Sequence, residues 1–170
     1  ADGIMLLYQT KLLQHILPEL VAGVGVPQAG HHIYDVFTHS IESLRHCPAD
    51  DPIVRLAALV HDIGKPVTFS REDGKITFYS HEVVGARMVK KIADRLRLPS
   101  VVRDKLWRLV RWHMFTYSRE MTDAAIRRFI RRVGIDEIGD MMMVRVGDRK
   151  GGGSKPTSWR LKELMERIEI

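Results

Sequence analysis

Six side chains of this 170-residue chain have the types and the setting for metal chemistry: His39, the doublet His61-Asp62, His81, His113 and Asp148. A lone histidine on an apolar helix face is most often a satisfied core residue, so none of them carries much alone. Their helical phase adds the information. His81 falls on the strip of Val84, Gly85, Met88 and Ile92, and His113 on that of Val102, Leu106, Leu109 and Val110, which turns both imidazoles inward. His39 sits at the edge of its segment's apolar face, and His61-Asp62 ends the most hydrophobic stretch of the chain. Asp148 follows Met141, Met142, Met143, Val144 and Val146. Carboxylates taken into such surroundings without partners are strongly destabilising. Arginine or lysine would compensate them, but the inward strips supply imidazoles instead. Four histidines with two aspartates make a nitrogen and oxygen ligand set suited to first-row divalent metals.

Helical punctuation governs the segments that must carry these residues. Met5 to Val21 reads as a helix interrupted near Pro18, followed by a loop from Gly23 to Gly30. Ile33 to His46 reads as a second helix with Ile33, Val36, Phe37, Ser40, Ile41 and Leu44 on one face. Pro52 suits the first turn of a third, apolar nearly all round from Ile53 to Val60 and therefore central, which Gly64 and Pro66 stop just after His61-Asp62. Strand-forming residues from Val67 to Tyr79 flank an Asp73-Gly74 turn, which predicts a small β-hairpin near residues 67–79. Ser80 suits the N-cap of a helix from His81 to Arg97. Further helices are expected from Val101 to Phe115, Thr122 to Val133 and Ile135 to Asp148. A flexible break at Gly151–Ser154 then precedes an amphipathic helix from Ser158 to Ile170. The expected fold is all-α, a bundle of about seven helices with one hairpin. It forms a single domain over 1–170, with an N-terminal helix in 1–25, a core in 26–150, and the break and last helix in 151–170.

Composition bounds the function. With 45% hydrophobic and 28% charged residues the chain can bury one core, and no apolar run approaches the roughly 18 residues of a membrane helix. The first residues lack the pattern of a signal peptide, and the single cysteine, Cys47, forms no intrachain disulfide, so a reducing cytoplasm is the expected setting. A formal charge of +6 favours an anionic partner. Arg127, Arg128, Arg131 and Arg132 form the densest basic block, on adjacent strips of one helix; this is a solvated face or a surface for the phosphate backbone of RNA. Trp107 and Trp112, close by in sequence, read as core residues.

The order His39, His61-Asp62, Asp148 resembles the HD superfamily of metal-dependent phosphohydrolases, and His81 and His113 match its two-metal variants. More narrowly, YDVFTHSIESL, LAALVHDIGKP, FYSHEVVGARM, LVRWHMF, DAAIRRFIRRVG and GDR are similar to the HD portion of bacterial CCA-adding tRNA nucleotidyltransferases and their poly(A)-polymerase-like relatives, from Val26 to Arg149. Nothing before Gly30 resembles the glycine-rich catalytic head of those enzymes, so the expectation is an HD domain that does not add nucleotides.

The resemblance implies that Asp62 bridges two metal ions, with His39, His61 and Asp148 completing one site and His81 and His113 the other. Manganese, cobalt, nickel, iron or magnesium would each serve. Two such ions, roughly 3.5 to 4 Å apart, would hold a shared hydroxide as nucleophile. In a single-metal version His81 and His113 act instead as phosphate ligands or proton donors. Lys65, part of the family motif, joins Asp62 as a catalytic residue by neutralising a non-bridging phosphate oxygen. His32, Arg145 and Arg149 are further substrate-binding candidates, and His32 and Asp35 share a side with His39. The implied activity is phosphoester hydrolysis on nucleotide-like substrates, as a 2′,3′-cyclic phosphodiesterase, a phosphomonoesterase or both. An HD-type di-iron oxygenase and a non-catalytic RNA-binding tail are the alternatives.

Overall fold

Three short helices, α1 (Asp2–Gln9), α2 (Leu13–Ile16) and α3 (Pro18–Val21), stand where the pattern predicts one helix interrupted near Pro18. The additional break falls at Lys11, whose φ of 63° is incompatible with a continuing helix. Leu13, Leu17 and Leu20 still reach the core, so the segment buries its apolar face in spite of the breaks. In this computed structural model, which describes residues 1–30 and 33–169, α4 spans Val36–His46. It begins three residues later than expected because Asp35 is its N-cap. One carboxylate oxygen of Asp35 accepts from the Thr38 amide at 2.7 Å and the other from the Gly25 amide at 2.7 Å. Ile33 is consequently outside the helix and exposed.

Helix α5 (Pro52–Val60) is the axis of the bundle. Asp51 caps it by accepting from the Ile53 amide at 2.8 Å, and Pro52 fills its first turn. Val54, Ala57 and Ala58 are wholly buried, and their small side chains let neighbouring helices approach closely. The chain then turns through His61–Gly64 into a single helical turn, α6 (Lys65–Thr68). Val67 and Thr68 are therefore helical, and the hairpin is shorter than predicted. Its strands are β1 (Ser70–Glu72) and β2 (Lys75–Thr77), antiparallel, with Ser70 opposite Thr77 and the Asp73-Gly74 turn between. Pro66 explains the difference, since it starts a helical turn instead of continuing the loop.

The second half supplies α7 (His81–Arg95), α8 (Ser100–Trp112), α9 (Asp123–Val133), a 3-10 turn (Ile135–Glu137), α10 (Ile138–Gly151) and α11 (Trp159–Ile168). Thr122 caps α9 and Ser158 caps α11 through side-chain oxygens, and Gly134, at φ 96°, ends α9. Ser80 occupies the N-cap position of α7 but makes no side-chain cap bond, because its backbone is left-handed at φ 60°. Helix α5 packs against α4, α8 and α10, α10 lies along α4, and α7 lies along α8. Trp107 and Trp112 are half-buried against this core and not enclosed by it. The Lys90 ammonium sits 5.1 Å from the Trp107 ring, and Arg111 and Arg132 lie 4.1 and 5.1 Å from that of Trp112. Among the described residues no helix is long and apolar enough to cross a membrane.

Candidate metal centre

The six residues arrive from five parts of the bundle wall. His39 projects from the first half of α4, His61 and Asp62 from the turn after α5, His81 is the first residue of α7, His113 follows the last residue of α8, and Asp148 lies in the last turn of α10. Glycines set how close these elements come. A Cβ on Gly64 would lie 2.2 Å from the His81 carbonyl oxygen and 2.7 Å from the Gly85 amide nitrogen, so the turn carrying Asp62 rests directly on the start of α7. On α10, a Cβ at Gly147 would lie 2.6 Å from the Ser43 carbonyl and one at Gly151 2.6 Å from the Ser43 amide. That contact brings Asp148 beside His39. Gly151 is the end of α10, so the expected break at Gly151–Ser154 starts one residue later.

The two oxygens of Asp62 face two different groups. Oδ2 lies 3.5 Å from His39 Nε2 and 3.3 Å from His61 Nε2, while Oδ1 lies 3.2 Å from His81 Nε2 and 3.6 Å from His113 Nε2. Asp148 Oδ1 joins the first group, 3.1 Å from His39 Nε2 and 3.4 Å from His61 Nε2. The imidazoles follow one another, edge to face from His39 to His61 (centroids 5.3 Å apart) and from His61 to His113 (5.1 Å), and tilted from His113 to His81 (5.3 Å).

Backbone carbonyls orient three of the rings. His61 Nδ1 donates to the Ala58 carbonyl at 2.7 Å, His113 Nδ1 to that of Val110 at 2.7 Å and His81 Nδ1 to that of Phe78 at 3.0 Å. A carbonyl only accepts, so Nδ1 carries a proton in each case and Nε2 is the nitrogen turned inward toward the carboxylates. Those three Nε2 atoms are buried without a hydrogen-bond partner. Unsatisfied buried nitrogens of this kind are costly and rare. The trios His39, His61, Asp62 and Asp62, His81, His113 each bring their ligand atoms within 4.8 Å of one another, so the residues present fit divalent cations.

Electrostatics divide the imidazoles. Burial by itself lowers the pKa of His61, but attraction to the Asp62 and Asp148 carboxylates outweighs it and pushes the group up to about 10. Burial likewise raises Asp62, yet His61 and Lys65 hold it well below the ordinary carboxylate range, and His39 and His61 do the same for Asp148. His113 is lowered, first by burial, and is neutral.

A cleft of about 970 Å³ opens over the centre, lined by Asp62, Lys65, His81, His113, Arg145, Asp148 and Arg149 among others. Lys65 Nζ donates to Asp62 Oδ2 at 2.6 Å and to Gln28 Oε1 at 2.6 Å. Arg145 donates to Asp148 Oδ2 at 3.1 Å and lies over the Phe115 ring, while Arg149 donates to the Lys155 carbonyl at 2.9 Å. His32 lies outside the described residues. Asp35 is a helix cap that turns its carboxylate to the backbone and not to His39. Arg127, Arg128, Arg131 and Arg132 are exposed on α9 and none lines the cleft. Sequence reasoning missed two participants, Gln28 as the second anchor of Lys65 and Ser43, whose Oγ is 3.4 Å from His39 Nε2. Ser43 follows His39 by one helical turn, a usable signal; nothing in the loop marks Gln28.

Comparison with known proteins identifies the family. A model of the HD domain family matches residues 30–150. The chain is 36% identical over 164 residues to an A-adding tRNA nucleotidyltransferase of Deinococcus radiodurans, a match covering 93% of this chain and 37% of that protein. It is also 36% identical over 175 residues to a CC-adding tRNA nucleotidyltransferase of Thermus thermophilus, covering 99% and 40% respectively. A multifunctional CCA protein of Legionella pneumophila is 34% identical over 115 residues, 65% of this chain and 28% of that protein. The chain thus spans less than half the length of these relatives.

Proposed function

The chain belongs to the HD domain family, a superfamily of metal-dependent phosphohydrolases, and on that premise we propose that its centre hydrolyses phosphoesters of nucleotide-like substrates, as a 2′,3′-cyclic phosphodiesterase, a phosphomonoesterase or both. The observation that carries this reading is the division of Asp62, one oxygen toward His39 and His61 and the other toward His81 and His113. Asp62 would be the shared ligand of two divalent ions, with His39, His61 and Asp148 completing one site and His81 and His113 the other. Bound there, such ions supply Lewis acidity toward a phosphoryl oxygen and lower the pKa of water.

The chain's own groups position and neutralise. Lys65 keeps Asp62 ionised and, with two of its three N–H donors committed, has one left for a non-bridging phosphate oxygen. Arg145 holds Asp148 in place through its second carboxylate oxygen. Arg149 has no carboxylate partner among the described residues, which leaves its charge available to the substrate's phosphate. Apolar walls on α5 and α8 exclude water from behind the imidazoles.

A panel of 2′,3′-cyclic nucleotides and nucleoside monophosphates, assayed with manganese, cobalt, nickel, iron and magnesium, tests the proposal. The expected result is metal-stimulated phosphate ester hydrolysis that Asp62→Ala reduces to background. An unchanged rate in that variant would overturn the assignment. Metal analysis should find two equivalents per chain at full activity; one equivalent would replace the two-ion version with the single-ion one.

A further inference from the structure

The cleft over the metal centre is bounded on one side by α10. Arg145 and Arg149, one helical turn apart, line both that cleft and a second groove of about 560 Å³. The far side of the groove is the start of α11, with Trp159 and Arg160, and Phe115 lines it between the two. Its volume suits one nucleotide-sized group. Trp159 is 48% exposed, an unusual state for an indole this close to a built pocket, and the Arg119 and Arg160 guanidiniums each lie 4.8 Å from its ring. The charge of Arg119 is answered by Glu163 at 3.0 Å and that of Arg145 by Asp148. Arg149 and Arg160 have no carboxylate partner among the described residues, so two cations with unmatched charge line the groove, and Arg160 rests over the Trp159 ring.

A half-exposed indole that already stacks with guanidiniums, beside unmatched arginines and next to a phosphoester site, suits a base with its linking phosphates. Resting on the hydrolytic reading above for what occupies the first cleft, we propose that the second groove binds the adjoining nucleotide of a single-stranded oligonucleotide. The preferred substrate is then the end of a short strand and not a free mononucleotide. Its terminal phosphoester lies at the metal centre, the linking phosphate crosses Arg149, the next base takes the place of the Arg160 guanidinium on the Trp159 ring, and Arg160, released from the ring, meets the phosphate beyond. A duplex is excluded by the size of the groove and by the need for an unstacked base. Stacking reads any base, so the preference is for length and not for sequence.

Binding measured without turnover separates this from the hydrolytic reading. Fluorescence anisotropy of a labelled pentanucleotide RNA ending in a 3′-phosphate is followed on the full chain carrying Asp62→Asn, and repeated on His113→Gln in case the first variant folds poorly. The pentanucleotide should bind at least about tenfold tighter than a nucleoside 3′-monophosphate competes. Adding Trp159→Ala should weaken it by about tenfold while Trp159→Phe retains most of the affinity. Arg160→Gln should reduce the slope of log affinity against log salt by about 0.7, the value for one phosphate contact on a single strand. Equal affinities for the two ligands, or a Trp159→Ala variant that binds the pentanucleotide undiminished, would overturn the proposal. Loss of the hydrolytic reading shows separately, as absent turnover by the unsubstituted chain.

Discussion

His61 is the residue on which the electrostatics of the centre turn. Set between Asp62 and Asp148 with its pKa pushed up to about 10, it is an imidazolium at neutral pH and occupies the place of a cation with a proton. Metal binding must displace that proton. Calorimetry in buffers of different ionisation enthalpy should therefore show about one proton released per chain near pH 7.5 to 8.5 as metal binds. No release would contradict the assignment of His61 as a ligand. Stability follows the same sign. A raised histidine pKa contributes stability that is fully present below the unfolded value of about 6.5 and is lost as pH rises toward about 10. The depressed carboxylates of Asp62 and Asp148 contribute stability that is present above about pH 4 and lost as pH falls below it. Thermal melts of chelated protein should thus decline from pH 7 to pH 10, and His61→Gln should flatten that decline. Lys65 completes the residue scale, because it anchors a buried carboxylate. Lys65→Met should cost about 3 kcal/mol in a denaturant titration, the usual penalty for leaving one member of a buried pair.

At the scale of elements, glycine contacts do the positioning. Gly64 presses the Asp62 turn onto backbone atoms of α7, and Gly147 presses α10 onto α4. Neither neighbour is the movable end of a side chain, so a methyl group forces the elements apart. Gly64→Ala and Gly147→Ala should each lower stability by about 1–3 kcal/mol and weaken metal binding along with it, as seen by denaturation and by metal titration. Gly139 is the control, exposed on α10 with nothing within 4 Å of a Cβ, and Gly139→Ala should stabilise by about 0.5–1 kcal/mol. Several elements were legible in the residues themselves. The helix starts at Pro52 and near Thr122 and Ser158 follow local rules, whereas Ser80, the one N-cap read from the residues, makes no side-chain cap bond. The misread ends have local causes too. Asp35 caps α4 through the Gly25 and Thr38 amides, which starts the helix at Val36, and Pro66 opens a helical turn where a strand had been expected.

The whole molecule carries a formal charge of +6, and part of it is concentrated on α9. Arg127, Arg128 and Arg131 are exposed without a carboxylate partner among the described residues, while Arg132 lies against Trp112. The phosphate backbone of RNA is the anion to test on this strip. Replacing Arg127, Arg128 and Arg131 by Gln should reduce the salt slope of RNA binding by up to about two to three units, and the binding should survive Asp62→Ala. Salt-independent affinity would leave the strip a solvated face.

The order of residues by itself determined which side chains could do chemistry and which way two of them point. Helical phase is a local property, so the inward turn of His81 and His113 can be read from the apolar strips they share. The same holds for the apolar run that makes α5 central. Only the tertiary structure decided that Asp62 divides its two oxygens between two groups of imidazoles, that Gln28 holds Lys65, and that Arg145 and Arg149 stand between two pockets. Those relations join residues as far apart as the 109 positions between His39 and Asp148. They depend on how closely helices pack, and that distance is set by contacts such as Gly147 on Ser43, which no local pattern encodes.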